Sequence, residues 1–206
     1  MKRTTRNAAR TRQEIIEKSA PLFNVHGFAG TSMQMLVEAT GFQMGGIYRH
    51  FGTKKELAKA AFQFSFEVLI ERNLQLDPSA SPQDRLLKIV HAYESMVKAP
   101  KIKGGCPVLN TTIEVDDTDH EFRELVKAHF EKVLTLMISI LEEGRANGSF
   151  QSSVEPREVT LFLASVLEGS IMIGKLTRDP VAVLSAFRQM KYYLQTCVIA
   201  AEGGAK

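Results

Sequence analysis

Apolar residues along this chain recur at intervals of three and four, and nowhere alternate with polar ones as a half-buried strand requires. Ile15, Ile16, Ala20, Leu22 and Phe23 share one helix face. Phe122, Val126, Phe130, Val133, Met137, Ile140 and Leu141 share another. Start signals bound these stretches. Thr31-Ser32-Met33-Gln34, Thr53-Lys54-Lys55-Glu56 and Thr118-Asp119-His120-Glu121 each fit a capping box, in which a hydroxyl and a Glu or Gln side chain satisfy free helix N–H groups reciprocally. Ser81-Pro82 and Asp179-Pro180 put a capping side chain before a proline at the first helical position. Gly27, Gly41, Gly52 and Gly148 stand where helices should stop. The pattern predicts an all-α protein of about nine helices, near 9–26, 32–40, 44–51, 54–76, 82–98, 105–115, 118–147, 156–176 and 179–201.

Composition narrows the class. With 44% hydrophobic and 24% charged residues the chain has enough apolar surface to offset its conformational entropy, which excludes a disordered protein. Two cysteines, Cys106 and Cys197, are too few for a disulfide scaffold. No unbroken apolar run reaches bilayer length, and no apolar stretch of signal length follows the basic residues Met1 to Arg6. The expectation is a cytoplasmic protein without a membrane partner. The net charge of +3 is unevenly spread: residues 1–60 hold ten Lys/Arg against four acids, and the remainder sixteen against nineteen. A basic first quarter on a mildly acidic body suits a polyanion, although charge alone would equally fit a solvated tail.

Three short helices occupy residues 1–52 and long ones follow, with linkers at 77–81 and 147–153. No repeat of solenoid length is present. Helix 8 carries Leu161, Phe162, Leu163, Val166, Leu167, Ile171, Met172 and Ile173 around nearly its whole circumference. A helix apolar all round is buried on all sides. Either it is the central helix of a monomer, or one side faces a second subunit. In the latter case helices 8 and 9 form a four-helix bundle with their symmetry mates, through Leu167, Ile171, Phe187, Met190 and Leu194.

Residues 31–54 carry the strongest constellation. Two short helices flank Gly41-Phe42-Gln43, the length and composition of the turn in a helix-turn-helix. The second helix, Met44-Gly45-Gly46-Ile47-Tyr48-Arg49-His50-Phe51, opens on two glycines, a poor choice for helix stability. Missing side chains there let the backbone approach another surface closely. Ile47 and Phe51 form its core face, and Tyr48, Arg49 and His50 point elsewhere. The helix starts at Thr31 and Thr53 add N–H groups and positive dipole ends of the kind that bind phosphate.

At these residues the chain resembles the TetR family of bacterial transcriptional regulators. The pattern runs from Arg12, Ile15, Ile16, Ala20, Leu22, Phe23, Gly27, Phe28, Thr31, Ser32 and Gly41 to Gly46-Ile47-Tyr48-Arg49-His50-Phe51 and Lys54-x-Glu56-Leu57. Later helices match the family in number, length and order, with a weaker motif at Gly144-Arg145-x-Asn147-Gly148-x-Phe150. The resemblance implies a helix-turn-helix DNA-binding domain over 1–53 and a helical effector-binding and dimerisation domain over 54–206. It implies a homodimer that binds an inverted-repeat operator in double-stranded DNA, usually as a repressor, and responds to a small molecule. By analogy Gln43, Met44, Gly45 and Arg49 face base edges, while Thr31, Ser32, Tyr48, His50 and Lys54 hold phosphates. Met44 departs from the lysine common there, so base reading would rest on Gln43, Arg49 and contact with thymine methyls. Arg3, Arg6 and Arg10 resemble the basic arm some members lay in the minor groove; a solvated tail reads the same way.

For the effector, Phe62, Phe66, Tyr93, Met96, Met137 and Met172 supply adaptable apolar walls, though each is also ordinary core filling. Tyr93 and Asn110, with His91 and Glu168 behind them, are candidate polar groups. The expected effector is a mostly apolar organic molecule. No cofactor and no metal are expected: the acids at 114–121 read better as partners of a helix dipole than as ligands. Cys106 stands at a helix start, as a redox-sensing thiol or, more commonly, a buried structural one. Cys197 reads as core. No Gly-x-Ser-x-Gly, His-Glu-x-x-His or phosphate-loop motif is present, which ranks an enzyme behind both a regulator and its alternative, a helical protein–protein adaptor.

Overall fold

The computed structural model describes residues 2–72 and 74–200, with side chains from Asn7 onward; the side chains of Arg3 and Arg6 lie outside the described residues. The helices are α1 (Lys2–Gly30), α2 (Met33–Thr40), α3 (Met44–Phe51), α4 (Lys54–Phe66), α5 (Pro82–Lys98), α6 (Pro107–Val115), α7 (His120–Ala146), α8 (Pro156–Thr177) and α9 (Pro180–Tyr193). Among the described residues there is no strand, only an isolated bridge between Phe150 and Ile199.

The caps explain most boundaries. Ser32, not Thr31, caps α2 by accepting from Met35 N. Thr53 caps α4 by accepting from Glu56 N, and Asp119 rather than Thr118 caps α7 by accepting from Phe122 N at 3.0 Å. Helical geometry in α1 breaks at Gly27, where φ is 74°, so the predicted stop lies inside the longer helix. The predicted helix over 54–76 is α-helical only to Phe66 and continues as a π-helical turn, Glu67–Glu71, with no glycine or proline to signal it.

Two compact units result. The first takes residues to Leu69 together with 101–127. In it α1 packs along α4, α2 and α6, around Ile15, Ala20, Leu36, Ile47, Leu57 and Phe66, all at most 1% exposed. This packing unit reaches beyond residue 53, because α4 and α6 share the core of the helix-turn-helix. The second takes 70–100 and 128–200. There α8 packs on α9 and α9 on α5, and Glu94 of α5 accepts from Lys191 of α9 at 2.6 Å and from Lys98 at 2.7 Å. Phe150 is buried over Gly144, where a Cβ would overlap its ring, and this packing gives the Gly144-to-Phe150 motif its shape.

The dimer residues expected from sequence need correction. Leu167, Ile171, Phe187, Met190 and Leu194 are all at most 3% exposed within their own chain. They are the inner face, since α8 and α9 bury these residues in their own unit. The uncovered apolar ridge of α8 is Leu161, Phe162, Met172, Ile173 and Leu176, with Val181 and Tyr192 exposed on α9. By length and composition alone α8 is long and apolar enough to cross a membrane. Counting only unbroken apolar runs misses this. Its buried side, from Val159 to Ile171, nonetheless sits in a protein core.

Candidate nucleic-acid interface

The turn between α2 and α3 is held locally. Gly41 closes α2 in the left-handed conformation, with φ 77°, and its N–H donates to Val37 O. Phe42 N donates to the Thr40 hydroxyl, and Lys18 Nζ reaches the last carbonyl of α2 at 3.1 Å, a cation at a helix C-terminus. Ile47 and Phe51 then bury one side of α3. Arg12 stacks on Phe51, 4.8 Å from the ring centre.

That burial decides what the other side offers. Gln43, Met44, Gly45, Tyr48 and Arg49 are exposed, and His50 is half-buried with its ring beside Phe51. Met44 and Tyr48 are large residues left 46% and 39% uncovered. A Cβ on Gly45 or Gly46 would meet nothing within 4 Å. The protein's own packing therefore does not demand these glycines. Ser32 is exposed at the start of α2, with its hydroxyl engaged as the cap. Arg10 is exposed on α1.

Two expected phosphate ligands face inward instead. Thr31 is completely buried, and its hydroxyl donates to Gly27 O at 2.6 Å. Lys54 is half-buried, and its ammonium donates to Phe28 O at 2.8 Å and Thr31 O at 2.9 Å, over the Phe28 ring. Both support the loop that carries Ser32. The neighbouring cations are also engaged. Lys55 pairs with Asp119 at 2.7 Å and Glu121 at 3.2 Å, and the nearly buried Lys59 pairs with Glu121 and Glu56. The hydrogen bond to Asp119 raises the Lys55 ammonium above its ordinary range, and the same bond holds the Asp119 carboxyl down. The acids at 119 and 121 are thus a helix cap and ion-pair partners.

The expected effector residues fall in different places. Phe62 and Phe66 are buried in the first unit, with rings in contact with each other and Phe62 edge-on to Phe122. Beside Phe62 and Asn110 lies a cavity of about 20 Å³, room for one water and not for an organic ligand. Asn110 donates to Asn24 Oδ1 and to two backbone carbonyls, so it joins α6 to α1. Tyr93, Met96 and Met137 are buried in the second unit. Met172, expected on a cavity wall, is 51% exposed on the outer ridge of α8. Cys106 is fully buried at the start of α6, whereas Cys197, read as core, is exposed on the π-helical turn Leu194–Val198, whose buried residues are Leu194 and Val198. Sequence reasoning missed Asn24 and read Glu114 only as part of an acidic flank to the next helix; the partners of their side chains lie 79 or more positions away along the chain.

Comparison with known proteins agrees with this geometry. The model for bacterial regulatory proteins of the tetR family matches residues 15–61, and that for the tetracyclin repressor-like C-terminal domain matches residues 82–198, more than half of the chain. The chain belongs to the TetR family. A TetR transcriptional regulator from Chloroflexus aurantiacus J-10-FL is 32% identical with a TM-score of 0.88, over 95% of this chain and all of that one. A TetR-family regulator from Cytophaga hutchinsonii is 30% identical with a TM-score of 0.82, over 95% of this chain and 98% of that one. The HTH-type transcriptional repressor DhaR of Mycobacterium sp. strain GP1 is 26% identical over 82% of this chain and 84% of its own length. This TetR-family member is a DNA-binding transcriptional regulator, and its family is one of regulators rather than enzymes.

Proposed function

We propose that this TetR-family chain is a cytoplasmic repressor that reads an inverted-repeat operator as a homodimer and leaves it when a small, mostly apolar effector binds. The observation that supports the DNA reading is α3. Its buried side is complete without the two glycines, and its outer side presents Gln43, Met44, Gly45, Tyr48 and Arg49 around a bare patch of backbone. Such a surface suits the major groove, where Arg49 and Gln43 can meet purine edges and Met44 a thymine methyl. Ser32, Tyr48 and His50 flank it as phosphate contacts, while Lys54 and Thr31 support Ser32 from behind. The uncovered ridge of α8 supports dimerisation: Ser165 is small and nothing stands within 4 Å of a Cβ on Gly169, so a second helix can approach between Leu161 and Met172. In the division of labour expected for the family, residues 1–53 bind DNA and 54–206 dimerise and respond to the effector.

The test is a mobility shift on duplexes from the region upstream of its own gene. Wild type should select one fragment and protect two symmetric half-sites. Arg49→Ala should lose discrimination worth about 1–3 kcal/mol per half-site while still binding DNA generally. Equal affinity of wild type for every fragment would refute the reading.

A further inference from the structure

The end of α1 beyond its break at Gly27, which leads as a short loop into α2, is gripped from two sides by charged side chains of other helices. The Phe28 N–H donates to the Glu114 carboxylate of α6. The Phe28 carbonyl accepts from Lys54 of α4 at 2.8 Å, and Lys54 also reaches Thr31 O. One residue, 28, therefore has its N–H and its C=O held by opposite charges. Ser32, the cap of α2, follows four residues later.

The grip belongs to a keyed contact between α1 and α6. Asn110 and Glu114 are four apart, on one face of α6. Asn24 and Phe28 are also four apart and receive them in register. Asn110 Nδ2 donates to Asn24 Oδ1 at 3.0 Å, and Asn24 Nδ2 donates to Lys103 O and Gly105 O just before α6. At each contact stands a glycine with positive φ, and each leaves space that a Cβ would take. A Cβ on Gly104 (φ 116°) would overlap Asn24, and one on Gly27 (φ 74°) would overlap Glu114. Two independent close approaches, each with its own polar bond, fix α6 against α1 in a single register.

We propose that Glu114 is a positioning residue for DNA binding: with Lys54 it clasps Phe28, and through that loop α6 sets where the start of α2 stands. This rests on α2 and α3 being the DNA-binding surface. Any displacement of α6 along α1 then pulls on the Phe28 N–H and is passed to Ser32 through four residues, and loss of the carboxylate frees the loop without emptying a hydrophobic core.

Three variants separate the clasp from general stability. Glu114→Gln keeps an acceptor oxygen at the same reach. Glu114→Asp keeps the charge but is one methylene short, and Glu114→Ala has neither. Two readouts are taken on the full chain: hydrogen–deuterium exchange of the peptide covering residues 24–32, and anisotropy on the upstream duplex that wild type selects. Ala and Asp should both speed exchange in 24–32 and weaken DNA binding by roughly tenfold, the size expected for one charge-assisted hydrogen bond. Gln, which keeps a neutral acceptor at the same reach, should fall between wild type and Ala in both. Exchange in 24–32 unchanged by Ala would overturn the clasp. Faster exchange with unaltered DNA affinity would overturn its positioning role and leave the regulator reading intact. A Gln variant as weak as Ala would overturn it too. A wild type without preference for any duplex would instead refute the assignment of α3, a failure visible before any variant is made.

Discussion

Lys54→Met removes a charge that the sequence assigns to a phosphate and the structure assigns to two carbonyls. The ammonium donates at 2.8 and 2.9 Å to Phe28 O and Thr31 O and lies 4.4 Å from the Phe28 ring centre. A hydrogen bond to a charged group contributes about 1.5–3 kcal/mol when well buried. Lys54 is only half-buried, so roughly 1 kcal/mol for each bond is appropriate, with about 0.5–1 kcal/mol for the ring. Methionine keeps the stem's packing and loses the rest, and the freed carbonyls can bind water at the loop surface. The expected loss is therefore roughly 2–3 kcal/mol. It should be read from urea midpoints at one fixed protomer concentration, because dimer stability varies with concentration. The salt dependence gives the second arm. If Lys54 neutralises no phosphate, log affinity against log salt should fall with the same slope in wild type and variant, displaced to weaker binding. A slope shallower by about one unit with stability unchanged would refute the argument and return Lys54 to the phosphate backbone.

Other consequences are equally direct. Hydrogen bonds from Lys191 and then Lys98 hold the Glu94 carboxyl down at about 2, below its ordinary 4.5. The folded value is the lower one, so this stabilisation is complete above about 4.5 and is lost as pH falls toward 2, at most roughly 3 kcal/mol. Glu94→Gln should flatten the acid limb of the stability curve in urea titrations, and parallel curves for variant and wild type would contradict it. Met172→Asp, on the uncovered ridge of α8, should give a folded monomer by light scattering that no longer footprints, whereas Leu167→Ala should cost about 2–5 kcal/mol of stability through a core cavity. A dimeric Met172→Asp would move the interface elsewhere. A thiol reagent should label Cys197 at once and Cys106 only on unfolding, scored by mass spectrometry; rapid double labelling would show that the start of α6 opens readily.

Much of the fold is written locally. A cap, a turn glycine and a 3.6-residue apolar spacing act within a few positions, so α2, α3, α5, α8 and the stop at Gly41 can be read from the chain, as can the outward side of α3 once Ile47 and Phe51 mark the inner one. Even so, local chemistry leaves close alternatives open: Thr31 and Ser32 both suit a cap, and burial of Thr31 against Gly27 settled which one serves. On α8 the ambiguity is larger. A helix apolar all round does not say which face is its own core, and only its packing on α9 turned Leu167 and Ile171 inward and left Met172 and Ile173 outside. The charged and amide side chains were the least legible. Lys54, Asn110 and Glu114 read as phosphate contact, effector contact and acidic helix flank, because a sequence shows what a polar group can bond and not what stands beside it. Their partners at Phe28, Asn24 and Thr31 are 23 to 86 positions away, brought within bonding distance only when α1, α4 and α6 close around one core.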